Sequence, residues 1–448
     1  MKKKNSNIKS KKIGNLLVIT GIILLAAVKA AGGWRFRPSE DKYAKYIEAA
    51  TQYMQDEYYV EAIEEFNKAD AVNPSCDVKL STAECYLLLG DMINFKQTAD
   101  KAESMYGYSE RLYIDMVYYY EAMNDKTGEL ELLIQAVNDC PDNEYLTQCY
   151  DGLKGDYNEA GATFDEVYAR KDGYDVVCNG DSAGVISGDV TVTVKTPYEA
   201  IYDIAAKEDI KISALKDGKL RYFDQKDYMR KTPEGDYKYI GLYRDGYALI
   251  EDNDGWAYID EEGCISGSHY KAATAFEDGI AAVKDEGGWK LIDNEFKMID
   301  GKIYTDIVRD DGQCMVFAGR IFAKTDSGYE MLDTAGNIIA SGFNEVRPFM
   351  EDDGYAAVKD ADGWKVMDTG GKIIEEVECE ELLASGNNMM PYRAGDVWGY
   401  IGVGDGVYVE PKFEAALRVN ANGYAAVKEN GQWKYIHFTR FRLEEESL

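Results

Sequence analysis

Gly423-Tyr-Ala-Ala-Val-Lys428, then Glu-Asn-Gly-Gln, then Trp433-Lys-Tyr-Ile436, is the stretch whose reading decides the fold. Two short β-rich runs flank a four-residue turn containing glycine, which is the signature of a β-hairpin. Side chains alternate between faces along a strand. Ala425 and Val427 therefore share one face, and Tyr424 and Ala426 the other. An indole on the adjoining strand needs a small neighbour, and the alanine pair supplies it.

The stretch recurs. Close copies are Gly354–Lys359 before Gly363-Trp364, and Gly279–Lys284 before Gly288-Trp289. Looser copies are Gly246–Ile250 before Gly255-Trp256, Gly312–Phe317 before Gly328-Tyr329, and Met389–Arg393 before Trp398-Gly399. Degenerate copies lie upstream, Asp209–Lys216 leading into Leu220–Asp224 and Gly173–Val177 leading into Ala183–Ile186, which makes eight hairpins. Trp256, Trp289, Trp364, Trp398 and Trp433 are separated by 33, 75, 34 and 35 residues, with Tyr329 in the vacant slot of the long gap. A fixed period of this length means one supersecondary unit used repeatedly. Third elements such as Gly336–Ile339 and Tyr408–Phe413 make room for three or four short strands per unit. The glycine before each hairpin suits a turn that needs positive φ.

The Gly-Trp and Trp-Gly dipeptides, the Trp256–Asp260 and Trp364–Asp368 runs and the Gly-Tyr-Ala-Ala-Val strand together resemble the WG-repeat family. The resemblance covers residues from about 160 to 438 and implies repeated β structure in a bacterial protein, with no known reaction. Ala183, Arg221 and Tyr329 depart from it at the aromatic slot. The tryptophans read as packing pins between units. Eight hairpins can close radially as a propeller of seven or eight blades, the Trp433 hairpin completing a blade begun near residue 163. An open β-solenoid is the alternative.

Upstream the periodicity is helical. Tyr46, Ala50, Tyr53, Ala62, Phe66, Ala69 and Pro74 resemble a tetratricopeptide (TPR) unit. Small residues at Ala50 and Ala62 let two helices approach, Phe66 and Tyr53 fill the groove, and Pro74 stops the second helix. Ala83, Tyr86, Gly90 and Ala102, then Ala136 and Pro141, repeat parts of the pattern, so about three units are expected. That family is a protein-binding scaffold.

Residues 2–12 carry six lysines, and Leu16–Val28 runs without a charge before Lys29, Trp34, Arg35 and Arg37. Extended from Ile13 to Gly33, the run is long enough for a spanning helix with its basic end in the cytoplasm. Val28-Lys29-Ala30 also suits cleavage of a signal peptide. Either way, residues 38–448 lie outside the membrane, as a single-pass ectodomain or a secreted chain. The fold class expected is α + β multidomain: an anchor or signal peptide at 1–37, a TPR-like solenoid at 38–160, a β-repeat domain at 161–438 and a tail at 439–448.

The formal net charge is −31, and residues 1–37 hold nine basic residues and no acid. So acidic a body repels nucleic acid and anionic lipid. The eight cysteines form no C-x-x-C and only His269 and His437 are present, which argues against zinc and leaves buried thiols as the plain reading. Asp252-Asn-Asp-Gly255 and Asp360-Ala-Asp-Gly363 look like calcium loops, but turns use the same residues. No catalytic, cofactor-binding or metal residue is assigned, and no cofactor is expected. The function expected is a non-enzymatic scaffold for protein–protein contact at the bacterial cell envelope. Binding of glycan or cell wall is the alternative, and a carboxylate-dependent hydrolase the third reading.

Overall fold

A computed structural model describes residues 38–170, 174–205, 211–350 and 354–441. The expected anchor or signal peptide at Leu16–Val28 and the end of the tail lie outside the described residues. No helix among the described residues is long and apolar enough to cross a membrane. The chain divides into two compact units between Lys154 and Gly155.

Among the described residues, the first unit has seven helices: α1 (Pro38–Gln55), α2 (Tyr59–Val72), α3 (Cys76–Leu89), α4 (Met92–Tyr106), α5 (Glu110–Met123), α6 (Lys126–Asp139) and α7 (Glu144–Leu153). Side chains of Ser75, Asp91, Ser109, Asp125 and Asn143 accept from backbone N–H groups at the starts of α3 to α7, satisfying donors that a helix leaves open. Ala50, Ala62, Phe66 and Ala69 are buried, as the periodicity requires. Tyr53 is not the groove filler expected of it: it is 38 % exposed. Ile47, Ile63 and Val78 fill that space against Phe66 instead.

Asp115 on α5 is buried, and neither carboxylate oxygen has a hydrogen-bond partner. Burial, then the nearby Glu84, pushes its carboxyl well above the usual range, with Arg111 pulling the other way. The folded protein thus keeps a proton that the unfolded chain releases above about pH 4. Stability falls as pH rises from there towards the folded value. Asp115→Asn is expected to raise the stability of the helical unit by about 1–3 kcal/mol at pH 7, with a smaller gain at pH 5. Urea unfolding at the two pH values measures both.

The second unit is an eight-bladed β-propeller. Seven sheets have four strands and one has three. Blades 2 to 7 are sequential, spanning Ala200–Arg230, Tyr239–Tyr270, Ala272–Asp293, Asp306–Phe343, Glu345–Val377 and Glu381–Phe413, and blade 1 spans Glu166–Tyr198. In the three-stranded blade 4 the outer strand is reduced to the bridges Trp289–Tyr304 and Ile292–Met298. Blade 8 combines both ends of the unit. Tyr157–Phe164 pairs antiparallel with Gln432–Phe438, beside Tyr424–Glu429 and Ala415–Val419. This latch closes the ring and rules out the open solenoid. It also moves the start of the β unit ahead of residue 161, because the latch strand carries none of the repeat's signature residues.

Eight apolar clusters lie one in each interface between neighbouring blades. Consecutive alanines face opposite interfaces: Ala281 packs with blade 3 and Ala282 with blade 5. Ala356 and Ala357, and Ala425 and Ala426, divide in the same way. Each blade centre thus touches both neighbours, and only a small side chain fits on either face. The tryptophans are the pins that the sequence suggests. Trp289, Trp364 and Trp433 are buried in the interface with the following blade, and Trp256 and Trp398 pack against theirs half-buried. The cation at the end of the preceding strand lies over the ring: Lys284, Lys359 and Lys428 stand 5.8, 5.3 and 5.7 Å from the centroids of Trp289, Trp364 and Trp433.

The glycine of Gly-Trp has its own reason. Gly255 and Gly288 have φ of 126° and 124°, and a Cβ there would come 2.7 Å from the carbonyl oxygen of Tyr270 and 2.8 Å from that of Tyr304. The outer edge of the blade approaches too closely for any side chain. One expected strand is absent: Gly312–Phe317 is loop, and the strand of blade 5 is Arg320–Thr325, after the Ala318-Gly319 turn. The apolar run Met315–Phe317 imitates a strand, but it buries its side chains between blades from a loop.

Candidate binding site at the propeller axis

The short first strand of each blade lies at the inner edge of its sheet, and residues on or just after these strands in blades 1, 2, 3 and 5 meet at one end of the axis. Arg170 of blade 1, Asp203 and Ile204 of blade 2, Arg244 of blade 3, and Asp310, Gly312 and Cys314 of blade 5 line one small cleft there. The Asp310–Cys314 loop crosses the axis. Gln313 O accepts from Ala275 N at 2.8 Å, Gly312 O accepts from the Tyr239 hydroxyl at 3.1 Å, and Asp311 stands 3.6 Å from Arg170.

The Asp203 carboxylate in the cleft is matched and fixed. Arg244 grips Asp203 with both Nη atoms, at 2.5 and 2.8 Å, and Leu242 N donates to the same carboxylate at 2.7 Å. Burial works against the Arg244 charge, but the adjacent Asp203 more than offsets it and keeps the guanidinium ionised. A second clamp joins blades 8 and 1. Arg418 donates to Arg170 O at 2.5 Å and lies 3.4 Å from Asp175, which also accepts from the Tyr435 hydroxyl at 2.7 Å. Bidentate pairing, as between Arg244 and Asp203, is geometrically specific.

The other motifs resolve as turns and stacks. Asp252 Oδ1 accepts from Asp254 N and Gly255 N, and Asp360 Oδ1 accepts from Asp362 N, so both calcium-like loops are hairpin turns. The aspartate ending each Trp-x-x-x-Asp run caps the next turn: Asp260, Asp293 and Asp368 each accept from the N–H groups two and four residues on. His437 stacks on Tyr424 with ring centroids 3.9 Å apart, whereas His269 meets Asp252. None of the eight cysteines forms a disulfide. Burial pushes Cys85 up to about 12 and Cys379 up to about 11, which makes both poor nucleophiles.

The repeat register seen in the blades has a counterpart in a known family. Residues 331–364 and 398–433 match the model described as WG containing repeat. The second match runs from Trp398 to Trp433, so the WG unit begins on one blade and ends on the next. It contains the interface between blades 7 and 8, in keeping with tryptophans that work between blades. No curated protein matches the chain.

Among solved structures, the chain is similar to the extracellular domain of a protein described as a hybrid two component system from B. thetaiotaomicron, at 11 % identity and a TM-score of 0.32, over 62 % of this chain and 41 % of that one. It is also similar to the AfRom2 CNH domain, at 7 % identity and a TM-score of 0.31, over 62 % of this chain and 96 % of that one. A eukaryotic initiation factor is similar at 8 % identity and a TM-score of 0.32, over 62 % and 91 %. Likenesses at this level carry nothing about ligand or activity.

Sequence reasoning missed the axial cleft. Its residues come from four blades and share no local motif. A faint signal existed: an arginine lies on or just after the first strand in several blades, at Arg170, Arg244, Arg309 and Arg418.

Proposed function

We propose that this chain is a non-enzymatic scaffold of the bacterial cell envelope, held by its N-terminal segment as a signal anchor, with residues 38–448 outside the membrane. In this reading helices α1 to α6 are three TPR-like pairs with α7 as the cap. They and the propeller offer surfaces for protein partners, and neither nucleic acid nor a cofactor takes part. The observation that carries the reading is the Asp203–Arg244 clamp. Asp203 and Asp310 are the carboxylates a hydrolase would place in the axial cleft, yet Asp203 is neutralised by both Arg244 nitrogens and Asp310 accepts from Cys314 N at 2.8 Å. A general acid or base has to exchange its proton with substrate, and a carboxylate held this way braces the ring instead.

A glycan-binding surface wants aromatic faces in a row. Among the described propeller residues, Tyr168 and Tyr228 are the strongly exposed tyrosines, on blades 1 and 2. That favours protein over glycan. The test is cross-linking capture by residues 38–448 from envelope fractions, read by mass spectrometry. A reproducible protein partner is the expected outcome. Retention on cell-wall glycan with no protein cross-linked would overturn it in favour of the glycan reading.

A further inference from the structure

Four hairpins place an acid four residues before the tryptophan: Asp252, Asp285, Asp360 and Glu429. Three of them place a lysine directly after it, and in each the ammonium sits on that acid. Lys290 pairs with Asp285. Lys365 lies 2.9 Å from Asp360 and 3.1 Å from Glu376 on the outer strand. Lys434 lies 2.5 Å from Glu429 and 2.5 Å from Glu159 on the latch strand. The repeat therefore builds a cation position between hairpin and outer strand.

Blade 3 keeps the hairpin acid Asp252, lacks the lysine, and has His269 where blade 6 has the outer-strand acid Glu376. Its lysine position is Ala257, which is fully buried. His269 stands one residue before Tyr270, the partner of Trp256, in the register that Glu376 holds before Val377, the partner of Trp364. Donor atoms of Asp252, Asp254 and His269 lie within 4.8 Å of one another, and His269 Nε2 is 3.0 Å from Asp252 Oδ2. Asp252 Oδ1 is occupied by two backbone N–H groups, which leaves Oδ2 as the oxygen turned towards the imidazole.

We propose that Asp252, Asp254 and His269 bind a divalent transition-metal ion of the zinc class, where sibling blades hold a lysine ammonium. One imidazole nitrogen and two carboxylate oxygens suit zinc, with water completing four-coordination. Calcium and magnesium prefer oxygen-only shells, so the histidine sets the class. The ion ties the hairpin turn to the outer strand Ile265–Tyr270, the link that Lys365 makes in blade 6. Asp260, Glu262 and Cys264 also cluster. Those three lie within one turn, between Trp256–Asp260 and Ile265–Tyr270, so an ion there would join no hairpin to its outer strand.

The test is calorimetric titration of the full-length protein with zinc chloride, in a Cys264→Ser background and excess magnesium. One zinc per chain is expected. His269→Gln and Asp254→Asn should each weaken it by at least about tenfold, the loss that even outer-shell partners give. Circular dichroism confirms that both variants fold. Cobalt in place of zinc should give a spectrum of nitrogen and oxygen ligands. Binding unchanged in both variants, no saturable zinc site, or a cobalt spectrum with thiolate charge transfer would each overturn the proposal.

Discussion

Trp289→Ala lowers the stability of the propeller by about 3–5 kcal/mol, the range for deleting a buried aromatic side chain. Trp289 is 1 % exposed and sits among Ile280, Ala282, Ile307, Met315 and Ile321, so the cavity opens between blades 4 and 5. Blade 4 is the three-stranded sheet and has the least of its own structure to hold that interface. Lys284 and Arg309, 5.8 and 5.1 Å from the ring centroid, lose their aromatic partner as well. The indole nitrogen has no hydrogen-bond partner, so the loss is one of packing and the cation contact. Trp289→Phe, which keeps most of the volume, should therefore recover more than half of the deficit. Urea unfolding of both variants measures this. A loss below 1 kcal/mol for Trp289→Ala would mean that the indole is not a pin.

Arg244→Met costs a similar amount, about 3–5 kcal/mol, because it strands a buried carboxylate. Asp203 is 3 % exposed, and its remaining donors are backbone N–H groups of Leu242 and Ile204. Arg244→Lys keeps the charge but loses the two-pronged grip, so its loss should be intermediate. Pairing Arg244→Met with Asp203→Asn removes the stranded charge and should restore at least half of the stability. A double variant as unstable as Arg244→Met alone would show that the arginine acts through something other than Asp203.

Much of the fold was legible because its determinants are local. The hairpins, the alanine pairs and the glycine turns lie within about fifteen residues of one another along the chain. The latch was legible in outline because the Trp433 hairpin calls for a further strand and the segment near residue 163 can supply it. Tyr53 was misjudged because a repeat pattern specifies spacing and not which ring a neighbouring helix covers. The Gly312–Phe317 loop was misjudged because an apolar run scores as strand whether it pairs or plugs a space between blades. His269 looked isolated because it is 17 residues from Asp252, and only the register of the outer strand brings them together.

By itself, then, the sequence determined the repeating unit, the side chains that face each interface and the absence of a recognisable catalytic motif. These follow from periodicity, which short-range sterics and alternation of strand faces enforce. Only the tertiary structure decided that eight blades close, that an N-terminal strand closes them, and which charges meet. Asp203 and Arg244 are 41 residues apart and on different blades. They pair because ring closure brings the inner strands together at the axis, where a buried carboxylate requires a cation within reach.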